Sequence, residues 1–174
     1  ETALITTHPP SIRSRVAVTL LYVNGNRADW GEAVAEVAEG ACVLQHTMRK
    51  YQAAGVHLDF FVLVPNASDV HPHLASTLTA CTFTLRETTL TLPSIGGFDD
   101  ERRGAILDRA VGLVELLKLE SLLMTEYDVV LCLDADIMFV GPYDDLVAPY
   151  TAAPYRMSPD FNGGMIAYYP HNNG

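Results

Sequence analysis

The sequence predicts an α/β protein with a mostly parallel sheet flanked by helices. Short runs of apolar, β-branched residues recur along the chain without polar alternation, which is typical of strands covered on both faces. Longer segments with helical spacing of apolar residues separate these runs, as in folds with crossover connections. With 174 residues, 49% of them hydrophobic, the chain is long enough to enclose a core.

A single domain is predicted over residues 15–174, after a flexible leader over residues 1–14 that has little apolar pattern. Turn-favouring residues end the first two strands, namely Asn24-Gly25-Asn26 and Pro65-Asn66, and Asp29 is a suitable N-cap for the first helix. In order, the predicted elements are a strand over 16–23, a helix over 30–54, a strand over 58–64, a short helix over 73–79, a strand over 82–85, a loop over 92–100, a helix over 106–125, and strands over 128–133 and 165–169.

The helix over 30–54 is predicted from the spacing of its apolar residues. The segment over 106–125 is rich in leucine, so it is predicted to be a buried helix. Gly40 interrupts the pattern of the helix over 30–54. The predicted apolar face of that helix consists of Val34, Val37, Ala38, Ala41, Val43 and Met48.

Charge and cysteine content narrow the classes of function. The formal net charge of -10 argues against a nucleic-acid surface, which needs clustered Lys and Arg. Cys42, Cys81 and Cys132 show no metal-binding spacing and have apolar or small neighbours, so buried thiols and a reducing compartment are favoured. The cytoplasm and the Golgi lumen both remain open. No apolar run reaches the roughly 18 residues of a membrane span.

The strongest signal for chemistry is Asp134-Ala135-Asp136, directly after the apolar run over 128–133. An ionised carboxylate is costly to bury without compensation, and two close carboxylates repel each other. A divalent cation such as Mn²⁺ or Mg²⁺ resolves both problems and keeps positions for substrate phosphates. Open α/β sheets also bind ligands at the carboxyl ends of their strands. The alternative is a surface loop in which both aspartates face water.

Two weaker signals lie elsewhere in the chain. Asn162-Gly163-Gly164 precedes the last strand, and its glycines allow close approach of the backbone to a ligand, although an ordinary turn is an equal alternative. Lys118 lies in an apolar helical segment. From there it can extend harmlessly to water or serve as a cation for a phosphate or a sugar.

Taken in order, these segments resemble glycosyltransferase family 8, the glycogenin-like enzymes with a GT-A fold, and in particular the donor-binding N-terminal portion. No single segment is decisive, but their order and spacing are specific. Val18-Thr19-Leu20 is similar to the family's first strand, and Lys118-Leu119 with residues 128–136 to its lysine helix and metal strand. Residues 141–146 are similar to its (N/D)-(I/L)-DDLF stretch. Residues 152–154 and 160–168 are similar to its AAP … FNSGV segment.

The resemblance implies a retaining hexosyl- or pentosyltransferase that moves a sugar from a nucleotide-sugar donor, a UDP-sugar, to a glycan or protein acceptor. Asp134 and Asp136 would bind Mn²⁺ (or Mg²⁺). Asp160 is the candidate catalytic residue, as a contact to the sugar, and no general base is assigned. The donor-binding residues implied are Leu20, Tyr22, Arg109, Lys118, Asp134, Ala135, Asp136, Asn162, Gly163 and Gly164.

The resemblance is incomplete in three places. Tyr22-Val23-Asn24 replaces polar residues that often follow the family's first strand, and Gly163 replaces Ser or Ala. The family's later H-x-x-G-x-x-K-P-W segment, which supplies a third metal ligand, has no match before Gly174. The domain is therefore expected to be truncated at its C-terminus.

Two other functions remain open. A non-catalytic, degenerate transferase domain that binds nucleotide sugars would explain the missing histidine. A phosphatase of the haloacid-dehalogenase type also carries an Asp-x-Asp motif after a buried strand, but usually near the start of the fold and with Thr or Val where this chain has Met138. A homodimer is also considered as the assembly.

Overall fold

The computed structural model describes residues 14–22, 30–90, 116–147, 155–157 and 165–170. The predicted leader (except Ser14), the Asp29 cap, the loop over 92–100 and the Asn162-Gly163-Gly164 turn lie outside these residues. So does the first half of the predicted helix over 106–125.

The described strands form a six-stranded sheet in the order β3-β2-β1-β4-β6-β5. Strands β1 to β4 are mutually parallel, whereas β6 runs antiparallel to both β4 and β5. This confirms the predicted α/β class with a mostly parallel sheet. The strands are β1 (Ser14–Leu21), β2 (Val56–Val64), β3 (Phe83–Glu87), β4 (Val129–Leu133), β5 (Tyr155–Met157) and β6 (Met165–Tyr168).

The helices connect the strands and cover the sheet. They are α1 (Trp30–Lys50), α2 (Pro72–Ala80) and the short α3 (Asp144–Val147), with 3₁₀-helices at Ala67–Asp69 and Leu116–Leu123. Among the residues described, none of the helices is long and apolar enough to cross a membrane.

The sheet is covered on both faces, as its continuous apolar strands require. On one face, alternate β1 residues such as Val16 and Val18 pack with α1 and α2 in the main core. On the other face, Ala17 and Val130 pack with Met124 and Tyr127, which follow the Leu116–Leu123 helix in the chain.

Helix α1 differs from its prediction in its end and in its buried face. It ends at Lys50 rather than Ala54, and Gly55 turns the chain into β2 with a positive φ of 86°. Val43 is 45% exposed, whereas Leu44, omitted from the predicted face, is fully buried. The buried residues recur at intervals of three and four, which is the helical period, and Val43 falls outside that stripe. They are Val34, Ala38, Ala41, Leu44 and Met48.

The described part of the leucine-rich segment is a 3₁₀-helix, not the predicted buried α-helix. Lys118, Ser121 and Met124 are buried at intervals of three, which matches the three residues per turn of this helix. Leu119 and Leu123, in contrast, are about half exposed, at 46% and 51%. Lys118, Glu120 and Ser121 are thus buried together with Leu117, whereas the exposed side of the helix carries Leu119, Leu122 and Leu123.

The prediction of three buried thiols is wrong for two of the cysteines. Cys42 of α1 and Cys81, at the C-terminus of α2, form a disulfide with their Cα atoms 5.4 Å apart. Cys132 lies buried in β4. Thr82, the residue after Cys81, adopts a positive φ of 62°, so β3 begins one residue later than predicted, at Phe83.

Candidate functional site

Sheet topology brings two groups of the predicted donor-binding residues to one edge. Strand β1 lies between β2 and β4, and the strand order reverses between β1 and β4, which is the point at which open α/β sheets bind ligands at the carboxyl ends of their strands. Leu20 is the register partner of Leu133, so the residues that follow β1 and β4 emerge side by side. Tyr22 and Asp134-Ala135-Asp136 are those residues.

The acidic residues occupy a turn, in which the Ile137 amide donates to the Asp134 carbonyl at 3.2 Å. Exposure alternates along the segment that follows. Ala135, Ile137 and Phe139 pack partly against the main core, whereas Asp136 and Met138 are exposed. The Asp134 side chain is 39% exposed. The two carboxylates thus lie at the solvent-accessible edge rather than in the buried environment that the flanking apolar residues suggested.

Lys118 does not extend to water, which was one of its two predicted roles. It is only 5% exposed, and its Nζ lies 2.6 Å from Asp134 Oδ1. A buried ammonium needs such a partner, since an unpaired one would be strongly destabilising. Two carboxylates and one ammonium leave one formal negative charge, so the protein itself compensates part of the acidic turn.

A second buried charge holds the helix that carries Lys118. Glu120 is 1% exposed and accepts hydrogen bonds from the Thr89 and Leu90 amides, at 2.9 and 3.1 Å, and from the Thr89 hydroxyl. These bonds tie the 3₁₀-helix to the chain leaving β3. Nothing in the sequence pattern distinguished Glu120, because a lone Glu beside leucines usually faces solvent.

Leu20 and Tyr22 lie at the end of β1 but differ in accessibility. The Leu20 side chain is 2% exposed and belongs to the main core. Tyr22 is half-buried, its amide donates to the Leu63 carbonyl at 2.9 Å, and burial raises the pKa of its phenol. Of the two side chains, only that of Tyr22 is accessible enough to contact a ligand at this edge of the sheet.

An open pocket of about 410 Å³ lies beside the acidic turn and is lined by residues 138–146. Its lining combines the exposed side chains of Met138 and Val140 with the Tyr143 ring. The Tyr143 hydroxyl donates to the Met48 carbonyl of α1 at 2.8 Å. Burial raises the pKa of Tyr143 to about 12.

The acidic turn has the donor chemistry of a Mn²⁺ or Mg²⁺ site. Such cations take hard oxygen ligands and are commonly bound by one or two carboxylates together with water and substrate phosphates. Within the described ranges, no group of three or more His, Cys, Asp or Glu converges on one point. Asp134 and Asp136 therefore fit a metal bound jointly with a phosphorylated ligand.

Five of the residues implied by the family resemblance lie outside the described residues. They are Arg109, Asp160, Asn162, Gly163 and Gly164. Their proposed contacts with the donor stay predictions.

No protein-family model and no curated protein sequence matches the chain. Among solved structures, the chain is similar to apo mouse xyloside xylosyltransferase 1, with a TM-score of 0.53 and 11% identity over 91% of this chain and 68% of that one. It is also similar to the apo structure of the bifunctional glycosyltransferase WbbM, with a TM-score of 0.47 and 13% identity over 94% of this chain. The chain spans only 33% of the length of WbbM. The xylosyltransferase similarity confirms the GT-A-type α/β fold, whereas membership of glycosyltransferase family 8 stays a prediction.

Proposed function

We propose that this chain forms the nucleotide-sugar-binding part of a glycosyltransferase, with a UDP-sugar as donor and Mn²⁺ or Mg²⁺ as cofactor. The observation that carries the proposal is Asp134-Ala135-Asp136 at the carboxyl end of β4, beside the end of β1, where this class of sheet binds ligands. The transferred sugar, hexose or pentose, and the glycan or protein acceptor would be determined by other contacts.

Different residues of the described site would contact the base, the ribose and the diphosphate of a nucleoside diphosphate. The Tyr22 ring and the backbone at the end of β1, including Leu20, would border the base. The backbone at Ala135 lies between the two carboxylates, where it would contact the ribose. Lys118, already aimed at the acidic turn, would place a positive charge near the diphosphate.

Asp134 and Asp136 would hold the metal, which when bound supplies Lewis-acid stabilisation of the departing diphosphate. Because Lys118 already neutralises part of the turn, the carboxylates alone should bind a divalent cation weakly. A diphosphate adds both negative charge and oxygen ligands. Metal and nucleotide should therefore strengthen each other's binding, as thermodynamic linkage requires.

The test is calorimetric titration of UDP into the chain, first with Mn²⁺ and then with EDTA. We expect binding only in the presence of Mn²⁺. Asp134→Asn and Asp136→Asn should each weaken it at least tenfold, which corresponds to about 1.4 kcal/mol. Glu36→Gln is the matched control, since it removes a carboxylate on the exposed face of α1 and should leave the affinity unchanged.

Equal UDP affinity with Mn²⁺ and with EDTA would contradict the proposal, as would wild-type affinity in both aspartate variants. UDP-sugar hydrolysis then separates an enzyme from the alternative of a non-catalytic binding domain. Metal-dependent binding without any hydrolysis or transfer, in the chain and in any longer form of the protein, would support the binding domain. The haloacid-dehalogenase alternative predicts phosphatase activity toward a simple aryl phosphate, with no dependence on uridine.

A further inference from the structure

Helix α1 contacts the acidic turn and the chain that follows it at three points. Gly40 lies against the Ala135 carbonyl. The Phe139 amide donates to Thr47 Oγ1 at 3.3 Å, and the Tyr143 hydroxyl donates to the Met48 carbonyl at 2.8 Å. Gly40, Thr47 and Met48 share one face of the helix, because they are separated by seven and eight residues. The helix therefore supports this segment over about 12 Å of its length.

The contact at Gly40 leaves no space for a side chain. A Cβ atom built at this position would lie 2.2 Å from the Ala135 carbonyl oxygen and 3.1 Å from its carbonyl carbon. Since real Cβ contacts are almost never shorter than 3.0 Å, any other residue would displace the turn or the helix by about 0.8 Å. The obstructing atom is backbone, so no side-chain rotation can relieve the contact.

Thr47 fixes the other end of the segment. Its hydroxyl donates to the Leu44 carbonyl at 3.0 Å within α1 and accepts the Phe139 amide. While the hydroxyl hydrogen is used in the bond to Leu44, the oxygen lone pairs stay available to accept the bond from the Phe139 amide. The amide of Phe139 is thereby held at a set distance from α1.

We infer that Gly40 and Thr47 are positioning residues of the donor site. They set the height of the acidic turn above α1, so that Asp134 and Asp136 both reach the position of a metal bound with a diphosphate. This inference rests on the proposed function and adds two residues of α1, neither of which touches the donor. Binding constellations tolerate misplacement of only about 0.5 Å, so a displacement of the size that Gly40 prevents is large enough to matter.

The test compares Gly40→Ala with Gly141→Ala, a matched control whose added Cβ would meet nothing within 4 Å. Mn²⁺ affinity is measured by electron paramagnetic resonance in the presence of saturating UDP. We expect at least a tenfold loss in Gly40→Ala and no change in Gly141→Ala. Alanine is the better helix former, so a loss of helicity in α1 would not explain the result.

Thr47→Val keeps the side-chain shape and removes both hydrogen bonds, and we expect a three- to tenfold loss of Mn²⁺ affinity. Its control is Thr79→Val, which removes a hydroxyl that donates within α2 to the Ala75 carbonyl. This pair keeps the inference testable if Gly40→Ala fails to fold.

Two further readouts separate positioning from a general effect on stability. At saturating Mn²⁺ and UDP, the resonance spectrum of the bound ion should change in Gly40→Ala, whereas a site that is only less stable would give the wild-type spectrum. Hydrogen exchange of the Ile137 and Phe139 amides should accelerate in Gly40→Ala even without ligand, because their acceptors shift.

The outcomes distinguish the inference from the proposed function. If the wild-type chain fails to bind Mn²⁺ with UDP, the proposed function fails, and the exchange rates still report whether α1 positions the turn. If the wild-type chain binds and Gly40→Ala gives the same affinity, spectrum and exchange rates, the inference is wrong and the proposed function stands.

Discussion

At the scale of single residues, the Lys118–Asp134 ion pair is predicted to control how the proposed site responds to ligands. A cation 2.6 Å from a carboxylate competes with any metal for the same oxygen, Oδ1. Lys118 is buried, so its ammonium needs a polar partner, whereas the partly exposed carboxylate of Asp134 is open to solvent and solutes. Under the proposed function, Lys118, which compensates the acidic turn, would thus also limit binding of the metal in the absence of nucleotide.

Replacing Lys118 separates these two effects. Lys118→Met keeps an unbranched side chain and removes the ammonium. We expect Mn²⁺ alone to bind more tightly, by up to about fivefold, since a part-exposed ion pair contributes roughly 1 kcal/mol. UDP should bind more weakly at saturating Mn²⁺, because a positive charge near the diphosphate is lost.

A Mn²⁺ titration monitored by electron paramagnetic resonance measures the affinity for Mn²⁺ alone. Calorimetry with UDP at saturating Mn²⁺ measures the affinity for UDP. Lys50→Met at the exposed end of α1 is the control and should change neither affinity. Unchanged Mn²⁺ affinity in Lys118→Met would mean that the ion pair does not compete with the metal.

At the scale of secondary-structure elements, α1 is joined to the rest of the molecule by polar contacts and by a covalent bond. Its buried stripe packs on the sheet, its Gly40 and Thr47 contact the acidic segment, and Cys42 is bonded to Cys81 beyond α2. Disulfides persist in oxidising compartments, so this bond favours an oxidising compartment over a reducing one. That preference reverses the expectation drawn from three buried thiols.

The Cys42–Cys81 bond should make a measurable contribution to stability. It closes a loop across a sequence separation of 39 residues, for which the chain-entropy model gives about 4 kcal/mol and measured disulfides typically give about 2–4 kcal/mol. The double variant Cys42→Ser/Cys81→Ser should unfold at correspondingly lower urea concentration.

A reducing agent provides the internal control for this prediction. Dithiothreitol should lower the unfolding midpoint of the wild-type chain toward that of the double variant and leave the variant itself unchanged. Equal midpoints of the wild-type chain with and without reductant, together with two titratable thiols at positions 42 and 81 in the native protein, would show that the bond is absent.

At the scale of the whole molecule, two buried tyrosines at opposite ends of β4 contribute to stability through hydrogen bonds to distant elements. Tyr127, at the amino end of β4, donates to Asp59 Oδ2 at 3.0 Å, and burial together with this hydrogen bond raises its pKa to about 12. Tyr143, beyond the carboxyl end of β4, donates to Met48, and burial raises its pKa to about 12 as well. Both phenols are therefore held protonated in the folded protein.

These raised pKa values predict a loss of stability in alkaline solution. The unfolded phenols ionise near pH 10, whereas the folded ones do so near pH 12, so their contribution is complete below pH 10 and is lost as the pH rises toward 12. The variant Tyr127→Phe/Tyr143→Phe should be less stable at pH 8, by about 1 kcal/mol for each hydrogen bond lost.

Between pH 10 and pH 12, however, the stability of this double variant should decline less steeply than that of the wild-type chain. Urea unfolding at a series of pH values measures both slopes. Parallel slopes for the two proteins would mean that the phenols ionise as readily in the folded state as in the unfolded state.

Local sequence pattern was sufficient to predict the parallel core of the sheet and the place of the candidate site. The apolar runs that became β1, β2 and β4 specify strands buried on both faces, because a continuous run of such residues has no face to leave in water. The Asp-x-Asp spacing after β4 then places the acidic turn at the ligand-binding edge of such a sheet. Strand β5 was not predicted, since a three-residue strand is too short to carry a periodic signal.

Contacts between residues distant in the sequence were decided only by the tertiary structure. The pairing of Lys118 with Asp134, the contact of Gly40 with the Ala135 carbonyl and the bond between Cys42 and Cys81 each depend on how two elements pack. The burial of Lys118 and Glu120 is a further case, because the leucine-rich composition favoured burial of Leu119, Leu122 and Leu123, which are exposed. The sequence pattern of a segment indicates which of its residues are buried. The contacts between segments form only when the segments pack, and the proposed chemistry of this site depends on those contacts.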